Sequence, residues 1–356
     1  MRIGIYDPYL DDAGGGEKYM MTIAECLSKK NNVDVFWDDR QDLQIISKRF
    51  NLNLSKVNLV KNIFSKNVPL FKRIVESGKY DIIVVLSDGS IPLLLSKKLF
   101  VHFQQPILGA TFSSKSGFKK MRVSSFFCNS NFTKSFIDKK FGIKSKVIYP
   151  PVEINSKKIK KENIILTVGR FRVRDVLTKA SDYKKFPIMT EGFKKLIKEG
   201  IKDWKLVLAV SVKNDDEKIF SRLKESTKGY PIEFLVNKSN AELWDIYSKA
   251  KIYWHASGFG EDLEAHPEFA EHFGISTVEA MGAGAVPVVI NAGGQKEIVQ
   301  DDINGFLWNT IEELKSKTKK LMKDDQLITR LSTKAKESSR EFSTERFCKE
   351  INEFIL

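Results

Sequence analysis

The sequence of 356 residues is poor in cysteine and histidine and has no long apolar run. Cys26, Cys128 and Cys348 stand far apart, without the paired spacing of a zinc site or a disulfide framework, so three reduced thiols are expected. Of the four histidines, His102, His255, His266 and His272, the last three stand near Glu261, Asp262, Glu264 and Glu268. Neither H-E-x-x-H nor another ligand spacing occurs there, which argues against a metal centre. No apolar stretch approaches the roughly 18 residues of a membrane-spanning helix. The opening residues Met1 to Asp7 read as a first strand rather than a signal peptide. There is no G-x-G-x-x-G fingerprint, no P-loop lysine-hydroxyl pair, no internal repeat and no low-complexity segment. A soluble, cytoplasmic α/β protein fits these absences.

What is present is unevenly charged. The chain carries a formal net charge of +14, and residues 1–150 hold 24 Lys and Arg against 13 Asp and Glu. A one-sided positive field attracts anionic partners: nucleic acid, anionic lipid or a phosphorylated substrate. The stretch Phe112–Phe127, with Lys115, Phe118, Lys119, Lys120, Arg122 and Phe126, suits a membrane surface better than a nucleic acid.

The length suggests two domains. In the first half, strands are expected at Ile3–Tyr6, Val33–Trp37, Tyr80–Leu86, Leu99–Phe103 and Phe126–Asn129. Helices are expected at Glu17–Lys29 and Phe132–Phe141, and Gln41–Lys79 reads as mostly helical. Pro150 and Pro151 stiffen a linker. The pattern then restarts, with strands at Asn163–Val168, Trp204–Val212, Ile232–Val236, Ile252–His255 and Val286–Ile290. A helix is expected at Ile188–Lys198, a capping box at Ser239–Glu242, and a helical tail from Ile311. Alternation of this kind gives doubly wound parallel sheets. Ligands of such sheets bind beyond the carboxyl ends of the strands, and two such domains suggest a cleft.

Three sets of residues carry candidate chemistry. Glu271 and Glu279 flank Gly274, with Ser276 and Thr277 as N-cap candidates, which puts Glu271 on a loop and Glu279 in the first turn of a helix. The amides of Phe273, Gly274 and Ile275 then lie at a positive helix end that suits phosphate or sugar. The pair could be hydrolytic, but hydroxyl recognition by two ionised carboxylates fits better. Gly14, Gly15 and Gly16 let the backbone approach an anion at a helix start. The Gly169-Arg170 turn and Lys184-Lys185 would place two cations where a departing diphosphate needs them. His102 follows a buried strand and is a candidate acid, base or sugar contact.

Taken together, Gly14–Glu17, Asn129–Thr133, Val147–Val152, Val168–Phe171, Tyr253–Ala256, Glu271–Glu279, Gly293-Gly294 and Glu297–Val299 resemble family 4 of the retaining nucleotide-sugar glycosyltransferases. The E-x7-E element is the specific part, and the match runs through nearly the whole chain in the family's order. The resemblance implies the GT-B fold: an acceptor-binding Rossmann-like domain at 1–152, a nucleotide-sugar domain at 153–340, and a last helix at 341–356 returning to the first domain. It implies that Glu271 contacts the transferred sugar and Glu279 the ribose. Arg170 and Lys184 or Lys185 would hold the diphosphate, Gly15 and Gly16 would lie by the donor phosphates, and Val236, within Phe234–Lys238, would lie by the base. A long polar insertion before Lys184 departs from the family pattern, which leaves the choice of lysine open. The implied donor is a nucleotide-sugar, GDP-mannose by the Glu-His-Phe-Gly form, used without a divalent metal or other cofactor. The acceptor would be a polyprenyl-diphosphate-linked or other glycan at the inner membrane face. A nucleotide-sugar epimerase on the same fold, and a basic nucleic-acid binder, are the alternatives.

Overall fold

A computed structural model describes residues 1–12, 14–107, 119–172 and 182–356. Two compact units emerge, one of Met1–Pro151 with Thr344–Leu356, the other of Val152–Ser343.

Unit 1 contains β1 (Arg2–Tyr6), α1 (Gly15–Ser28), β2 (Asn32–Phe36), α2 (Arg40–Phe50), β3 (Val57–Val60), α3 (Leu70–Ser77), β4 (Ile82–Leu86), β5 (Lys98–Phe103), β6 (Ser125–Cys128), α4 (Asn131–Phe141) and β7 (Ser145–Val147). Its sheet has the order β3-β2-β1-β4-β5-β6-β7, with every pairing parallel. A parallel sheet is covered on both faces, so its central strands read as unbroken apolar runs, as Ile82–Leu86 does. The helix ends follow local chemistry. Ser130 accepts the Thr133 amide at 3.0 Å to start α4, and Asn51 in the left-handed region (φ 54°) stops α2.

Unit 2 contains β8 (Glu162–Phe171), α5 (Phe186–Lys198), β9 (Lys205–Val212), α6 (Glu217–Ser226), β10 (Ile232–Val236), α7 (Asn240–Lys249), β11 (Ala250–His255), α8 (Ile275–Gly282), β12 (Val286–Ile290), α9 (Gln295–Ile298), β13 (Phe306–Trp308), α10 (Ile311–Lys323) and α11 (Asp325–Ser339). Its parallel sheet runs β10-β9-β8-β11-β12-β13. The expected capping box is formed: Ser239 starts α7 and Glu242 closes back on it. The final helix, α12 (Thr344–Ile355), belongs to unit 1, where Phe347, Ile351 and Ile355 are buried in the same core as α1.

Several expectations are corrected. Gln41–Lys79 is not mostly helical. It contains the edge strand β3, which pairs with β2 from Val33↔Val57 to Phe36↔Val60 and is too short and too exposed to show an alternation. Gly169 and Arg170 are not a turn, because β8 continues through Phe171 in register with Val212. Cys26 and Cys348 are disulfide-bonded, with Cα atoms 5.3 Å apart, and Cys128 is the free, buried thiol. Spacing alone hides that pair, because only the return of α12 brings it together. Phe126 and Phe127 are buried strand residues of β6, not exposed aromatics, while Phe112, Lys115 and Phe118 lie outside the described residues.

His102 is also not where an acid or base would be useful. Its ring is wholly buried, stacked between Tyr19 (centroids 4.2 Å apart) and Phe127 (4.6 Å). Nδ1 lies 3.2 Å from the Phe127 carbonyl and Nε2 2.7 Å from Gln104 Oε1. Burial dominates these contacts and pushes the imidazole down to about 4. Its folded pKa is below its unfolded one, so its stabilising contribution is full above about pH 6.5 and is lost as pH falls toward 4. The loss of unfolding free energy between pH 7.5 and 4.5 should therefore be smaller in His102→Gln by on the order of 2 kcal/mol. Denaturant titrations of both proteins at the two pH values measure this. Equal losses would refute the burial of a neutral ring.

Candidate active site

The site in unit 2 is assembled from the ends of two strands and the start of one helix. At the end of β8, the Lys184 side chain lies along Gly169; a Cβ at 169 would come within 2.9 Å of Lys184 Cγ, so a larger residue would dislodge the lysine. Lys184 Nζ pairs with Glu271 Oε2. The same oxygen lies 2.9 Å from Nε2 of His255, the last residue of β11. A carboxylate only accepts, so the ring donates through Nε2. Its Nδ1 has no partner among the described residues, and an imidazolium there would bury a bare N–H. Burial lowers the His255 pKa more than Glu271 raises it, in keeping with a neutral ring. Burial pushes Glu271 up, but the Lys184 ammonium, followed by His255, outweighs it and holds the carboxyl well below the usual range. The Lys184 and Glu271 side chains keep 23% and 18% of their surface exposed, so the pair is open to a ligand.

The loop that carries Glu271 is fixed by glycines. The Glu271 carbonyl accepts the Gly294 amide at 2.8 Å, and a Cβ on Gly293 would stand 2.3 Å from that carbonyl. Gly274 takes φ 124°, which L residues rarely adopt, and so lets the chain turn directly into α8. This corrects the caps: the Thr277 and Val278 amides already bond to the Gly274 carbonyl, so Ser276 and Thr277 are inside the helix. Glu279 consequently sits in the second turn, not the first. No side chain caps α8, whose first residue is Ile275. Phe273 is buried edge-on to Phe342, with ring centroids 5.2 Å apart. Two tyrosines support the helix. Tyr253 donates to Ser276 Oγ at 2.8 Å, and Tyr247 to Glu279 Oε2 at 2.9 Å. Burial, then Glu279, keeps Tyr247 protonated, so it remains a donor.

The two lysines part company. Lys185 is buried, adopts the left-handed φ of 58° that starts α5, and pairs with Glu261 rather than Glu271. Arg170 is an exposed residue of β8, next to the Gly169 that Lys184 covers. Val236, half-buried, ends the edge strand β10. Gly15 and Gly16 belong to unit 1, where they open α1; the Glu17 carboxylate holds the Gly14 amide, and Gly16 packs by Gln104. Beside them the Asp7 carboxyl is pushed up to about 8 by burial and then by Glu17. Sequence reasoning missed His255 and Tyr247 as parts of the site. His255 stood in the quoted Tyr253–Ala256 motif, and a histidine ending a buried strand was the available signal. Tyr247 looked like any apolar helix position.

Comparison with known proteins gives the family and the fold. The family of Glycosyl transferases group 1 matches residues 152–338, which takes in Lys184, His255, Glu271 and Glu279. The chain belongs to this family. Among curated relatives, the Dictyostelium discoideum GDP-Man:Man(3)GlcNAc(2)-PP-Dol alpha-1,2-mannosyltransferase is 26% identical over 237 residues, 61% of this chain and 43% of the relative. The Homo sapiens enzyme of the same name is 30% identical over 196 residues, 49% of this chain and 36% of the relative. The chain thus spans less than half the length of these relatives. Among solved structures, Anabaena HepE in complex with UDP superposes with a TM-score of 0.75 at 18% identity over 99% of each chain. WaaG, a glycosyltransferase of lipopolysaccharide biosynthesis, gives 0.64 at 12% identity over 100% of this chain and 99% of its own. These likenesses show the GT-B fold, two Rossmann-like parallel-sheet domains.

The separation of the lysines is testable. Lys184→Ala should lose at least about tenfold in activity, as removal of a transition-state cation does, and should also lower the melting temperature, because it strands Glu271. Lys185→Ala should lower the melting temperature, because it strands Glu261, and keep kcat/KM within about threefold. Activity assays and thermal melts of both variants check this; a reversed pattern would exchange the two roles.

Proposed function

We propose that the protein is a retaining glycosyltransferase of family 4 that moves mannose from GDP-mannose to a lipid-linked glycan. The observation that carries this reading is the Glu271 carboxylate, held ionised by Lys184 and His255, with the Lys184 stem lying along Gly169, the chain neighbour of exposed Arg170. In the proposed reaction the bond from the anomeric carbon to the donor phosphate breaks, and its electron pair stays on the diphosphate. Arg170 and Lys184 stabilise that charge, so no divalent metal is required. Glu271 steadies the oxocarbenium-like sugar. The acceptor oxygen bonds to the same face of the anomeric carbon, and its proton passes to the departing phosphate oxygen. Glu279, one oxygen of which is occupied by Tyr247, accepts from the ribose hydroxyls. The Phe273–Ile275 backbone at the start of α8 supports phosphate and sugar. Unit 1 binds the acceptor.

The names of the curated relatives support mannose, a GDP-linked donor and a dolichol-linked acceptor, whereas HepE was crystallised with UDP. No helix among the described residues is long and apolar enough to cross a membrane. We place the reaction at the cytoplasmic face, where a lipid-linked acceptor presents its glycan.

Glu271→Ala and Arg170→Ala should each lose at least roughly tenfold in rate, measured by nucleotide release with and without lipid-linked acceptor. Wild-type turnover in both variants would sink the assignment. For the donor, GDP should raise the melting temperature and UDP should not. Protection by UDP alone would overturn the GDP-mannose reading while leaving glycosyl transfer standing.

A further inference from the structure

The helix α3 of unit 1 leaves most of its apolar side chains exposed. Soluble helices turn an apolar stripe to the core and charge to water. Here Ser77 is the buried residue of the helix, while Phe71, Leu70 and Val75 are 78%, 56% and 45% exposed. The charged residue that turns inward is Arg73. Its Nε donates to the Ile63 carbonyl at 3.1 Å and its Nη2 to the Phe64 carbonyl at 3.2 Å, with the guanidinium over the Phe64 ring. Two hydrogen bonds and a ring contact therefore fix which way the helix faces; Ile74 is half-buried, and Leu70, Phe71 and Val75 are left outside. Scattered exposed apolar residues are ordinary, but three on one eight-residue helix form a patch.

The patch continues along the surface of unit 1. The Leu95 amide bonds to Ser77 Oγ at 3.0 Å, at the end of α3, and Leu95 is exposed. Arg122 donates to the Ser96 carbonyl at 3.0 Å, and its neighbour Met121 is 84% exposed. Lys72 stands on α3 itself, and exposed Lys97 and Lys98 follow Leu95 and Ser96 in the chain, where Lys97 pairs with Asp81 at 2.6 Å and Lys98 donates to the Leu356 oxygen at 3.4 Å. These lysines form part of the positive excess of 24 basic over 13 acidic residues in 1–150.

We infer that α3, with Leu95 and Met121, is a docking surface for an anionic lipid bilayer, its apolar side chains entering the interface while the lysines meet the headgroups. Charge decides the occupant. Shallow apolar insertion by a few side chains is weak alone, and each basic residue near an anionic lipid surface strengthens it. A protein partner or a second copy of this basic chain would have to supply the opposite charge. The inference rests on the lipid-linked acceptor reading for its purpose but not for its test.

Vesicles of phosphatidylcholine, with or without 30 mol% phosphatidylglycerol (about one lipid in three, enough for a clear surface charge), provide that test in flotation assays with no acceptor present. The wild-type chain should float with the anionic vesicles at low salt and be released as salt rises. Leu70→Ser/Phe71→Ser/Val75→Ser should weaken flotation at least about tenfold, while thermal protection by nucleotide stays at the wild-type level. Unchanged flotation of the triple variant, or a wild-type chain that does not float, would overturn the inference. So would a wild-type dimer that the triple variant abolishes, since a second copy would then cover the face. Nucleotide release from the donor is measured separately, so vesicle binding and sugar transfer can fail independently.

Discussion

One carboxylate oxygen ties unit 2 together at its chemical end. Glu271 Oε2 receives both Lys184, from the segment after β8, and His255, from the end of β11. Three separate stretches, with His255 16 and Lys184 87 residues before Glu271, are thereby held to a point. Without Lys184 the half-buried carboxylate would drift toward its neutral form, and without Glu271 the ammonium would lie unpaired along Gly169. The ion pair is the resting arrangement: in the proposed reaction the ammonium turns to the diphosphate, and the departing charge takes over the partnership that Glu271 provided.

The backbone beneath that contact tolerates almost no extra volume. Gly169 makes room for the lysine stem, Gly293 for the Glu271 carbonyl and Gly274 for a turn other residues resist. The tyrosines act differently, by occupying acceptors. Tyr253 engages Ser276 and Tyr247 engages one oxygen of Glu279, so the helix presents a defined set of remaining groups instead of a freely rotating one.

Much of the fold was legible because its strands are unbroken apolar runs and its helices carry caps. What was not legible has physical causes. The edge strand β3 buries little, so it writes no alternation into the sequence. Cys26 and Cys348 pair through the return of α12, a long-range event that spacing cannot register. In the site, residue types and order were readable, and Glu271 was correctly put on a loop. The choice between Lys184 and Lys185 was not, because adjacent residues point in different directions and only the left-handed φ at Lys185 decides which. His102 misled for a related reason: the end of a strand is either the rim of a site or the edge of a core, and its stacking between Tyr19 and Phe127 makes it the latter.

The path of the chain has its own consequence. Unit 1 takes residues from both sides of unit 2, so synthesis delivers α12 only after unit 2 is complete. The unit that comes first in sequence is therefore the second to be finished. Once Cys26 and Cys348 are joined, the chain between them is a closed ring that carries unit 2 as an insertion. A single nick between Val152 and Ser343 then opens the ring but leaves its two ends in one covalent molecule.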